Sequence, residues 1–161
     1  LVENEIIKLS LIFGNAEINH KTLLNHLSNG SKYDVFDLIN ASMTGNRKMV
    51  LKTTKCLHDN GVQPIAVNGL FAWIFKAIIR LKSSNIVSPS YDDFIKLRIF
   101  GTTQMIIKKS LSSLSQRQIE MILMRIKDID LICKGINYGD AWLELNRLSF
   151  GLSRLLNKSR I

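Results

Sequence analysis

Cysteine is scarce in this chain. Only Cys56 and Cys133 are present among 161 residues, and they lie far apart. A disulfide framework or a structural zinc site needs more ligands or closer spacing, so both read as reduced thiols in the core of a cytosolic protein. Proline is as rare, with two in the whole chain. That scarcity, with 46% apolar residues, suits a helical globular protein and argues against disorder. Uncharged apolar runs of about 18 residues, the length a membrane span needs, are missing. The nearest, Ile65 to Ile79, is short and carries Lys76. No signal-peptide pattern opens the chain. It starts at Leu1 inside a helical pattern, without Met, and is expected to be a piece of a longer polypeptide.

Catalytic signatures are missing as well. There is no G-x-x-x-x-G-K-S/T phosphate loop, no G-x-G-x-x-G and no H-E-x-x-H. His20 and His26 are six apart, and His58 falls on a different helix, so no shared metal-ligand face forms. Asp128 and Asp130 are two apart and project to different faces of a helix. They read as a solvated carboxylate and an interface partner rather than an acid/base pair. No catalytic residue, cofactor site or metal site is therefore expected.

Period-two alternation is absent too, and no Asn-Gly or Asp-Gly turn joins β-branched runs. What is present is helical. The most ordered stretch runs from Leu114 to Leu156. Ser115 and Gln118 form an S-x-x-Q capping box. Ile119, Ile122, Ile126, Ile129 and Cys133 then draw one apolar stripe at steps of three and four. Gly135 ends this helix, and Gly139 with Asp140 opens the next. Leu145, Leu148, Leu152 and Leu155 give that helix its own stripe, and the two are expected to pack as a hairpin.

Earlier in the chain, Leu1 to Phe13 and Lys21 to Leu27 read as short helices. Ser28 to Lys32 has the composition of a boundary. Residues 1–31 are expected to be the end of one domain, and residues 32–161 a second. Asp34 is a candidate N-cap for a helix through Phe36, Leu38, Ile39 and Met43, ended by Gly45. A helix from Arg47 to Asn60 carries Val50, Leu51, Thr54 and Leu57. Pro64 opens a helix that is apolar nearly all round, which places it at the centre of the fold. Tyr91 to Leu97, capped by Ser90, and Thr102 to Leu111, with Met105, Ile106 and Leu111 inward, follow. The fold class is all-α, with seven to nine helices and no solenoid repeat.

The formal net charge is +9, from 22 Lys and Arg against 13 Asp and Glu. Such a surface can attract nucleic acid, an anionic membrane or an acidic partner, and alone it selects none. Arg47, Lys48, Lys52 and Lys55 fall mainly on one helix side and are the candidate contacts for phosphate, DNA or an acidic partner. Lys76, Arg80 and Lys82 crowd the end of the central helix, and Lys96, Arg98, Lys108 and Lys109 form a further group. No helix-turn-helix signature and no interleaving of aromatic with basic residues accompanies them.

The order of elements resembles the C-terminal part of the delta-subunit family of the bacterial DNA polymerase III clamp loader. IIKLSLIFG, a short EIN and a brief helix resemble the end of that family's AAA+-like lid domain. YDVFDLINASMTGNRKMVLKTTKCLHDNGVQPIAVNGLFAWIFKAIIRL resembles the start of its collar domain, with Gly61, Val62, Gln63 and Pro64 in a Gly-x-x-Pro pattern. LSQRQIEMILMRIKDIDLICKGINYGDAWLELNRLSFGL resembles its close. Tyr91 to Ile99 departs from the family's pattern. The resemblance implies a helical bundle of the collar type after the helical end of a lid. It implies a subunit of a nucleotidyltransferase holoenzyme that does not itself hydrolyse ATP, acting in the cytoplasm at the nucleoid during DNA replication. The implied partners are gamma/tau and delta-prime type subunits. The sliding clamp would be met by an N-terminal domain with no counterpart in these residues, and DNA only through the complex, with no membrane involved. Two other classes remain open: a basic nucleic-acid-binding domain, and a small metal- or acid-base-dependent enzyme built on His20, His26, Asp128 and Asp130.

Overall fold

The computed structural model describes residues 33–157 with the exception of Val87, all within a unit that runs from Tyr33 to Ile161. The helices expected at Leu1 to Phe13 and Lys21 to Leu27, the 1–31 domain, His20 and His26 lie outside the described residues. Among the described residues there are seven α-helices and no strand. They are α1 (Val35–Thr44), α2 (Arg47–Asp59), α3 (Pro64–Ser83), α4 (Tyr91–Lys96), α5 (Thr102–Ser113), α6 (Gln116–Cys133) and α7 (Ala141–Asn157).

The ends of these helices follow from local chemistry. Asp34, Ser90 and Ser115 each accept a hydrogen bond from the backbone N–H three residues on, and Asp37, Asp93 and Gln118 reach back to close the box. Pro64 occupies the first turn of α3, where its missing N–H costs nothing. The Ser90 backbone and hydroxyl donate to the Asp93 carboxylate and hold its pKa below the usual value. Gly45 ends α1 with φ 82, and a Cβ there would sit 3.1 Å from Asn157 Cβ. Glycine is thus required twice, by the left-handed backbone and by the close passage of α7.

By length and composition α3 could cross a membrane, with a mean hydropathy of 1.4. In the fold its apolarity makes the core. Val67, Phe71, Ile74, Phe75 and Ile78 are fully buried, against α6 above all, and against α5, α7 and α1. Burying each such side chain stabilises the unit by about 1.5–3 kcal/mol. At the end of α3, Lys82 Nζ donates to the carbonyls of Leu111 (2.8 Å) and Leu114. One ammonium thereby satisfies two carbonyls at the α5–α6 corner.

The expected hairpin is present as sequence neighbours but is not the main packing unit. α6 and α7 touch, yet α6 packs chiefly on α3, while α7 packs chiefly on α1 and α2. The reason is demand: α3 needs cover on several sides, and the single apolar face of α6 goes there. Ile119, Ile122, Ile126 and Ile129 are buried as expected, and Cys133 is only partly so. In α7 the stripe ends on Leu156 rather than Leu155.

Met105, expected to point inward, is exposed, and so are Phe36 and Leu51. On α2 and α5 the inward positions include Thr53, Thr54, Thr103 and Ser110. Small side chains let helices approach closely, and the hydroxyls of Thr54 and Ser110 are satisfied by carbonyls one turn back. The two cysteines are free and half-buried rather than in the core. Burial, then the nearby Asp130 carboxylate, pushes the Cys133 thiol pKa up.

Replacing Phe71 with Ala should therefore cost about 3–5 kcal/mol in urea unfolding. A loss below about 1 kcal/mol would mean that α3 is not the core helix.

Candidate functional site

α2 is positioned by its ends and its inner face. Asn46 accepts from the Met49 N–H at 3.1 Å and starts the helix. Val50, Thr53, Thr54 and Leu57 are buried, against α1 and α7. At 3.6 residues per turn the opposite arc then carries Arg47, Lys48, Leu51, Lys52, Lys55, His58 and Asp59, and all seven are exposed. The four cations singled out from the sequence do share one face.

Their surroundings differ. The Arg47 guanidinium lies 5.9 Å from the Phe150 ring centroid, and Lys52 Nζ lies 5.5 Å from that of Tyr33. Lys55 Nζ is 2.8 Å from Asp59 Oδ2. That hydrogen bond raises the Lys55 pKa and lowers that of Asp59. Among the described residues Lys48 alone of the four has no ion-pair or aromatic neighbour. A third cation sits over an aromatic elsewhere, with Lys108 5.5 Å from the buried Phe94 ring. The sequence shows no interleaving of aromatic and basic residues, but folding brings them together from separate segments. This pairing is invisible to a linear scan because Phe150 comes from α7 and Tyr33 precedes α1.

Beside the basic face, His58 packs edge-on against Trp142, with centroids 5.5 Å apart. The Asp140 carboxylate accepts from the N–H groups of Trp142 and Leu143 and caps α7. Here Asp140 works as a helix cap and His58 as a ring contact. No group of three or more His, Cys, Asp or Glu residues could hold a metal among the described residues. Asp128 is exposed, and Asp130 pairs with Lys134 at 2.6 Å, one turn along α6. That pair is a helix-surface contact of the ordinary (i, i+4) kind.

A second surface lies between α6 and α7. Met121, Ile122, Leu148, Gly151, Leu152 and Leu155 line a groove of about 340 Å³. Its rim is an ion cluster with no counterpart in the sequence reading. Glu144, with its side chain only 15% exposed, accepts from Arg125 at 2.5 Å and from Arg147 at 2.7 Å. The Glu144–Arg147 spacing of three was a readable signal, whereas Arg125 comes from the other helix. Gly151 sits in the interior of α7 with nothing within 4 Å of an added Cβ. Neither backbone conformation nor internal packing demands glycine there, and glycine costs a helix about 1 kcal/mol relative to alanine. The gap it leaves is part of the groove. Met121 and Met124 stand exposed on α6, and Ile136 and Tyr138 on the link to α7.

Glu144→Gln should lower stability by about 1–2 kcal/mol, because two guanidinium groups lose their shared carboxylate. A change that vanishes at moderate salt would instead mark the cluster as an exposed, screened contact. No protein-family profile and no curated protein sequence matches the chain.

Proposed function

We propose that this chain is part of a subunit of a bacterial DNA polymerase III clamp loader. Its helical unit would be the collar that joins sister subunits of the gamma/tau and delta-prime types into the ring that places the sliding clamp on primed DNA. Residues 1–31 would be the end of an AAA+-like lid, and the setting would be the cytoplasmic replication machinery. The observation that carries this reading is the α6–α7 groove: an apolar trough with a helix-interior glycine that its own fold does not require. An assembly module needs such a face, since a specific interface buries on the order of 1,000 Å² or more around an apolar centre. The polar groups around it serve as caps and ion pairs, which suits scaffolding.

Mixing the chain with gamma/tau and delta-prime type subunits should give a complex by size-exclusion chromatography with light scattering. Gly151→Leu, which fills the trough from an exposed helix position, should abolish it while circular dichroism stays unchanged. A chain that remains alone in that mixture, or a Gly151→Leu variant that assembles normally, would refute the reading.

A second reading, direct nucleic-acid binding, rests on the exposed α2 face with its cation–aromatic pairs. It expects affinity for DNA that falls with salt by about 0.7–0.9 log units per phosphate contact, and a slope reduced by about two such steps in Lys48→Gln/Lys52→Gln. Salt-insensitive or absent binding would remove it.

A further inference from the structure

α3 and α6 lie side by side, and a groove of about 750 Å³ runs along their outer seam. Its apolar floor comes from Gly69, Ala72 and Trp73 on α3 and from Leu123 and Ile126 on α6. Lys76 stands on one bank, with Lys127, Asp130 and Lys134 on the other. Lys134 neutralises Asp130 at 2.6 Å. Among the described residues Lys76 and Lys127 have no ion-pair partner. The groove is thus an apolar trough with two uncompensated positive charges.

Two further features set it apart from an accidental crevice. Gly69 lies in the interior of the central helix, with an ordinary helical backbone and nothing within 4 Å of an added Cβ. The central helix therefore carries a residue that weakens helices, at an exposed point on its outer face. Asn68, 2% exposed, spans the seam by donating to the Ile126 carbonyl at 3.0 Å, and its own Oδ1 has no hydrogen-bond partner in the fold. Buried side-chain oxygens of this kind normally find one.

We propose that the α3–α6 groove is a docking site for a short acidic amphipathic helix of another protein. The apolar seam of such a helix would lie over Gly69, where a glycine admits close approach of a second helix. A large side chain would pack on Trp73. A carboxylate on one flank of the incoming helix would meet Lys127, and one on its other flank would meet Lys76 across the groove. The groove recognises a helix in this way by anchors at the spacing used in helix-in-groove binding. Nucleic acid is disfavoured because the floor is predominantly apolar and one of its four charged groups is a carboxylate. This inference concerns a face other than the α6–α7 trough and does not depend on the collar reading.

The chain has two tryptophans, so Trp142→Phe leaves Trp73 as the only reporter. The probe is a synthetic helical peptide of about 14 residues with Leu at every third or fourth position and Glu beside them. Controls are the same peptide with Lys for Glu, and single-stranded oligothymidylate. The Glu peptide should change Trp73 emission saturably. In Lys76→Glu/Lys127→Glu its affinity should fall by at least about tenfold and that of the Lys peptide should rise. Gly69→Leu should retain helicity and lose the peptide. If that variant unfolds, the charge swap on two exposed lysines decides alone. No saturable change below about 1 mM, equal affinity for the two peptides, or oligothymidylate binding with the same dependence on Lys76 and Lys127 would each overturn the proposal.

Discussion

A helix that must bury half of its circumference needs more than one neighbour to cover it. In this protein α3 imposes that condition on everything else. Asn68, Phe71, Ile74, Ala77 and Leu81 sweep about half of its circumference, and all are buried. Other helices must therefore cover it from several sides. α6 supplies the longest cover, and α5, α7 and α1 close much of the rest. Once α6 is committed to α3, it cannot also be the close partner of α7. α7 then turns to α1 and α2, and a shallow trough is left between the two helices of the last pair. The exposed apolar surface is thus a by-product of how the core is shared out.

Much of the fold was legible from short-range chemistry. The capping boxes at Asp34, Ser90 and Ser115, Pro64 in the first turn of α3 and the glycine stop at Gly45 place helix boundaries with little help from tertiary structure. Leu51 and Met105 mark the limit. A linear reading turns the largest apolar residues inward, but where two helices pass closely it is Thr53 or Ser110 that fits. The inward face of such a helix is decided by the partner's distance, and one segment carries no record of that distance.

The candidate surfaces were legible to a smaller degree. The shared face of Arg47, Lys48, Lys52 and Lys55 followed from helical periodicity alone. Their aromatic companions did not, because Phe150 and Tyr33 arrive from distant parts of the chain. The same holds for Arg125, which reaches Glu144 across two helices. Gly69 and Gly151 could be seen as helix-interior glycines only after the helices were known. Each then became informative through the empty space beside it, a property that composition does not encode.

Gly45 carries a consequence for how the chain reaches this state. The turn between the first two described helices lies against Asn157, at the end of the last one, and α7 supplies the inner face of both α1 and α2. Contacts between such distant segments form late, because the intervening loop must first be closed. During synthesis α1 and α2 emerge early, with their apolar sides uncovered until α7 follows. The outer arc of α2, with Arg47, Lys48, Lys52 and Lys55, stays in water throughout, so only the opposite, apolar face of the pair waits for α7.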